Sequence, residues 1–160
     1  INIMKYEFSE QFLKGFSNLY YLQGMPDMPI QGAWRNQVLN FIKYFNLLST
    51  DYTYRLPTSK EYYLASGDFS SVYNTPLQSF KCNNIDIVQN TLPNQYDIFG
   101  LYSNVNEWTA DDLDEEFSYL YGGDAHFGAH NILFVDQSQH ADGHHTKFYG
   151  FRLIAERKDI

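Results

Sequence analysis

The chain has 160 residues and a formal net charge of −8, with 44% hydrophobic and 19% charged residues. That length suits one domain, able to bury roughly 70% of the surface its unfolded chain exposes, and the balance excludes a disordered chain. With the acidic excess and no Lys/Arg stripe, a nucleic-acid or anionic-membrane partner is argued against, because a phosphate backbone would be repelled.

Residues 3–8 read as a short strand, with Ser9 as the N-cap of a helix over about 9–21. Phe12, Leu13, Phe16, Leu19 and Tyr20 give that helix its apolar spacing, and the glycine and prolines between Gln23 and Pro29 end it. A second helix is expected over about 35–48, its core stripe formed by Val38, Phe41, Ile42, Phe45 and Leu48. Asp51 to Tyr54 reads as a link. Thr58-x-x-Glu61 is a capping box, in which each side chain satisfies the other residue's free backbone amide, and it starts a short helix ending near Gly67. From 68 to 103 turn residues dominate, and short strands are expected at about 105–109, 118–121, 132–135 and 148–155. The acidic positions Asp111, Asp112, Asp114, Glu115 and Glu116 read as a solvated loop face. The order is that of a loop-rich α+β domain without internal repeat or linker.

Tyr and Phe, 14 and 13 residues, raise the aromatic share to 18%, which suits an irregular fold or a contact surface. The lone cysteine, Cys82, excludes an intrachain disulfide and a CxxC site, and reads as a small buried hydrophobe. No apolar run reaches membrane-spanning length and no signal peptide is visible, while a start at Ile1 leaves a leader or lipid anchor upstream open.

Several short motifs stand in order: Lys5-Tyr-Glu7, Met28 to Trp34, Tyr54-Arg-Leu-Pro-Thr-Ser-Lys-Glu61 with Tyr62 and Ala65, Pro93-Asn94, Asn104-Val-Asn-Glu-Trp-Thr109 with Asp111, Gly122-Gly123, and Gly150-Phe-Arg-Leu153. The ordered set resembles the formylglycine-generating-enzyme-like, or sulfatase-modifying-factor, domain over about residues 3–155. The resemblance implies a C-type-lectin-like α+β fold, two main helices and a small twisted sheet carrying long loops. It also implies a single domain over 1–160, trimmed at its front, since the family's opening strand has no counterpart before Ile1. Asn106, where the family usually has Trp, makes the motif similar to that of gliding-motility and type IX secretion lipoproteins of Bacteroidota, which carry the domain without its oxidase chemistry.

The family's enzymes are oxidases that use a close cysteine pair, a soft thiolate set suited to Cu(I), lying between the Gly-Gly and Gly-Phe-Arg motifs. Here Gly123 to Gly150 holds no cysteine, so the expectation is a protein that is not an enzyme and has no catalytic residue. The same interval holds all five histidines, His126, His130, His140, His144 and His145. Imidazole suits Zn²⁺ or Cu²⁺, and protonation could make a contact surface pH-responsive, but the preferred reading is an exposed polar loop with glycines at 128 and 143. The resemblance further implies a Ca²⁺ loop. Carried over residue by residue, Ser103 and Val105 offer carbonyls and Glu107 a carboxylate, oxygen ligands that suit a hard cation. Gly100 stands where the family has an Asp or Asn ligand, which removes a donor and puts that site in doubt. Arg55 and Arg152 read as fixing loops through carbonyls or a carboxylate.

The resulting expectation is a non-catalytic interaction or scaffold module of a bacterial cell-envelope (periplasmic or outer-membrane-associated) lipoprotein assembly with protein partners. Its contact surface is expected over 111–149, with Phe127, His126 and His130 as binding residues. The alternatives are a cysteine oxidase and a ligand-display variable protein on the same fold, its diversity in the 124–149 loop.

Overall fold

The computed structural model describes residues 2–9, 28–67, 93–102, 104–112, 117–124, 128–136 and 148–159, with the backbone alone for 124 and 128–136. Apart from Ser9, the helix expected over 9–21 lies outside the described residues, as do the 68–92 stretch with Cys82 and residue 103.

Helix α1 spans Arg35–Leu48 and buries Val38, Phe41 and Ile42. Gln37 Oε1 accepts the Trp34 N–H at 3.0 Å, satisfying one amide that the helix start leaves unpaired. Leu48 does not join the core stripe: it is 62% exposed, because the helix outruns the core below its last turn. The link expected at 51–54 is instead a strand, β1 (Tyr52–Arg55). Its aromatic and β-branched residues suit a ladder. Asn46 ties β1 to α1, donating to the Tyr54 carbonyl at 2.8 Å and accepting the Tyr54 N–H at 2.7 Å. Helix α2 (Ser59–Ser66) starts at the predicted capping box: Thr58 Oγ1 accepts the Glu61 N–H, and Glu61 accepts the Thr58 N–H at 2.9 Å.

The remaining strands are β2 (Asn106–Asp112), β3 (Phe117–Asp124), β4 (Gly128–Asp136), β5 (Tyr149–Gly150) and β6 (Ile154–Arg157). One sheet has the order β4-β3-β2-β5, antiparallel except for the β2–β5 pair, and β1 with β6 forms a second, antiparallel sheet. Two sequence expectations are corrected here. The run 148–155 is not one strand: β5 and β6 belong to different sheets, and Phe151–Leu153 carry the chain between them. The 3–8 segment forms isolated bridges rather than a strand, Ile3 to Ile154 and Ser9 to Pro29.

The main core gathers Phe8, Ile30, Val38, Phe41, Leu56, Trp108, Leu120, Phe151 and their neighbours. Phe8 stacks on Phe151 at 5.0 Å, and Phe41 meets Phe8 edge-on at 5.1 Å, favoured aromatic geometries. A smaller cluster under α2 holds Tyr62, Ala65, Ile98, Leu101 and Tyr102. Gly150 shows why the Gly-Phe-Arg motif needs glycine: a Cβ there would sit 2.7 Å from Val105 Cγ2 and 2.8 Å from the Ile30 carbonyl. Among the described residues no helix is long and apolar enough to cross a membrane.

Candidate functional site

The short 151–153 crossover turns Arg152 inward. Its guanidinium is fully buried and grips Glu107 on β2 by both oxygens, Nε to Oε2 and Nη2 to Oε1, each at 2.5 Å. The remaining N–H groups donate to the Phe99 carbonyl at 2.8 Å and the Met4 carbonyl at 3.3 Å. One planar fork thus joins β2, the turn at 99 and the N-terminal segment, which is the loop-fixing role expected of it. Glu107 therefore has Arg152 as its partner on both oxygens.

A second carboxylate enters the same enclosure. Glu7 is 2% exposed; its Oε1 accepts from Asn104 Nδ2 at 3.1 Å, and its Oε2 has no hydrogen-bond partner among the described residues. Gly100, at φ +73°, faces it directly, and any side chain there would overlap the Glu7 carboxylate. Burial pushes the Glu7 carboxyl up to about 8, with repulsion from Glu107 adding to it and Arg152 and Asn104 opposing. Burial pushes Glu107 up as well, against the opposing pull of Arg152. Sequence reading missed Glu7, noting it only as part of a motif; a lone glutamate beside apolar Phe8 was the available signal.

Around this centre, exposed and half-buried polar groups fasten the helices. Arg55 meets Glu61 through two bonds of 2.7 Å, and Glu156 at 2.6 Å, tying α2 to β6. Those bonds hold the Glu61 carboxyl down to about 2. The acidic positions that opened the expected solvated face are engaged: Asp112 pairs with Arg35 at 2.9 Å, and Asp111 accepts the Ser59 N–H at the start of α2. A carboxylate there also suits the positive end of the helix dipole. These two lie on strand rather than loop because β2 runs to residue 112 and passes both helix starts, while Asp112 stays exposed as expected; residues 114–116 lie outside the described residues.

The other candidates fall as follows. Val105 is buried, its side chain against Gly150. The Glu107 carboxylate proposed for Ca²⁺ is committed to Arg152 on both oxygens, so it is not presented to a cation. Ser103, His126, Phe127, His140, His144 and His145 lie outside the described residues. His130 lies on β4, whose backbone is paired with β3 from Asp136 back to Gly128. The strand expected at 132–135 therefore extends back to Gly128, so His130 lies on strand rather than loop, because cross-strand hydrogen bonding continues past the apolar run Ile132 to Val135. Among the described residues no group of three or more His, Cys, Asp or Glu is placed to hold a metal ion.

The family profile of the sulfatase-modifying factor enzyme 1-like domain (FGE-sulfatase) matches residues 20–157. The chain belongs to this family. No curated protein matches it. Solved structures similar to this sulfatase-modifying-factor-like domain include PvdO from Pseudomonas aeruginosa, at 16% identity and TM-score 0.71 over 96% of this chain and 79% of that one. CarF is similar at 14% identity and TM-score 0.70, over 98% of this chain and 86% of that one. Treponema denticola variable protein 1 is similar at 14% identity and TM-score 0.74, over 98% of this chain and 84% of that one. At such identities the likeness shows the fold, which is the family's loop-rich α+β architecture.

Proposed function

We propose that this family member is a non-catalytic binding or scaffold module. The observation that carries this reading is the cysteine-free interval from Gly123 to Gly150, in a chain whose one cysteine, Cys82, lies upstream of it. A cysteine-pair oxidase needs two thiolates close enough to share a soft metal and a substrate sulfur, and one thiol cannot supply them. The interval that would hold such a pair instead contributes nine residues of strand to the sheet. The buried charges at Arg152 and Glu107 answer each other and the backbone, as structural groups do.

The finer form of the proposal is a protein-contact module in a bacterial cell-envelope lipoprotein assembly, with the contact made by the surface of 111–149. The Asn104-Val-Asn-Glu-Trp motif supports the assembly reading, and the exposed apolar side chains Tyr44, Leu47, Leu48, Tyr63 and Tyr96, which lie outside 111–149, support a protein-contact role in general, since aromatic anchors favour contact hot spots. The test of the non-catalytic reading is incubation of the protein with a cysteine-containing sulfatase peptide, with and without Cu(I). The expected result is no formylglycine above a no-protein control. Formylglycine formation that scales with protein concentration would overturn it.

A further inference from the structure

The N-terminal segment, α2 and the 94–99 turn meet around a cleft of about 450 Å³. That size lies in the range of small-molecule sites, which combine a mostly apolar lining with a few placed polar groups. Ile3, Leu64, Ala65 and Ile98 give the apolar lining, with Tyr96 beside them. Leu64 is 51% and Tyr96 58% exposed, so two large apolar side chains stand in solvent at one concave site. The two charged residues of the cleft, Lys5 and Asp97, are bonded to each other through Asp97 Oδ2. An ammonium has three donors and a carboxylate two oxygens, so among the described residues this bond leaves N–H groups of Lys5 and Oδ1 of Asp97 unused. We propose that the cleft binds a free α-amino acid with an apolar side chain, its ammonium on Asp97, its carboxylate on Lys5 and its side chain against Leu64 and Ile98.

The choice of ligand follows from the charges. Lys5 and Asp97 together are neutral. A ligand with a single charge gains one partner and faces the like charge of the other. An α-amino acid carries an ammonium and a carboxylate side by side, and laid against the pair in the opposite sense it brings each charge to its opposite. The two termini of a peptide are not adjacent, and an uncharged apolar ligand leaves the free N–H groups and oxygen without partners.

The walls are set without a ligand. Asp97 sits at φ +61°, a backbone that Asp tolerates better than most residues, and its N–H donates to the Asn94 carbonyl at 3.0 Å. Asn94 Oδ1 accepts the Tyr96 N–H at 2.9 Å and the Ile98 N–H at 3.1 Å, while its Nδ2 donates to the Ala65 carbonyl at 2.6 Å. One side chain thus fastens the turn bearing Tyr96 and Asp97 to the helix bearing Leu64. The Phe99 N–H donates to the Lys5 carbonyl at 2.8 Å, and Lys5 Nζ lies 5.3 Å from the Phe99 ring centroid and 5.7 Å from that of Tyr6, within cation–π range. Such preorganisation lowers the ordering cost of binding. The cleft shares no lining residue with 111–149, so the proposal stands apart from the contact placed there.

Amide chemical-shift mapping on the whole chain tests it, with L-leucine and L-phenylalanine as probes. Saturable shifts centred on residues 3–6, 64–67 and 94–99 are expected. N-acetyl-L-leucine lacks the ammonium, leucine methyl ester lacks the carboxylate, and glycine lacks the side chain; each is expected to bind at least about tenfold more weakly than leucine. Asp97→Asn keeps a residue that tolerates positive φ, and Lys5→Gln keeps a polar side chain. Each is expected to weaken leucine binding at least about tenfold, with the rest of the amide spectrum unchanged. No saturable shift with either amino acid at millimolar concentration, or shifts centred elsewhere, would overturn the proposal. So would equal affinity for leucine, its ester and its N-acetyl form, or wild-type affinity in both variants.

Discussion

At the scale of single residues, the α2 start is the clearest case of local chemistry deciding structure. Thr58 and Glu61 satisfy each other's amides, and Asp111 reaches across from β2 to the Ser59 amide. Thr58→Ala removes the cap acceptor while Glu61 and Asp111 remain. The expected loss is about 1 kcal/mol of stability, read from the urea midpoint with an unchanged slope. Trp108 is buried in the core, 1% exposed, its indole N–H donating to the Ala33 carbonyl at 2.6 Å and its ring edge-on to Tyr149 at 5.5 Å. Glu107 and Glu7 are the opposite case. Nothing in the residues around them states that both share a cavity with Arg152, because that depends on segments separated by 45 or more positions.

At the scale of elements, periodicity carried α1 and α2 but not the strand limits. Tyr119 and Tyr121 are half-buried and alternate with buried Ser118 and Leu120, as a strand pattern requires. Gly128, His130 and Asn131 have no apolar alternation, so the strand expected at 132–135 was not extended back over 128–131 until its pairing with β3 was visible. Exchanging 124–130 for a Gly/Ser stretch removes the side chains at the Gly123–Ala129 and Asp124–Gly128 pairs and adds flexible backbone to a ladder. The melting temperature is expected to fall, and co-purification with the proposed protein partners, if the contact lies here, to weaken at least about tenfold, or about 1.4 kcal/mol. Wild-type levels of co-purification with a lowered melting temperature would move the contact off this hairpin.

At the scale of the molecule, Arg152 is the point where the pieces meet. It reaches β2, the 99 turn and the N-terminal segment from the crossover that joins the two sheets. Arg152→Met keeps an unbranched side chain but leaves Glu107 and Glu7 without their cation. The expected cost is on the order of 3–5 kcal/mol, measured by equilibrium unfolding. Adding Glu107→Gln to that variant is expected to recover part of the loss, since the two residues act as one unit.

By itself, the sequence determined what depends on neighbours along the chain. The apolar spacing at 38, 41, 42 and 45 makes a helix, Thr58 and Glu61 make a cap, and the ordered motifs identify the family. It also determined that the 123–150 interval carries no thiol. Tertiary structure alone decided what depends on distant segments meeting. It made strands of 52–55 and 128–130, whose partners lie elsewhere, and it engaged Asp111 and Asp112 at two helix starts. It also closed Glu7, Glu107 and Arg152 into one buried enclosure, where burial rather than residue type sets the charge each can hold.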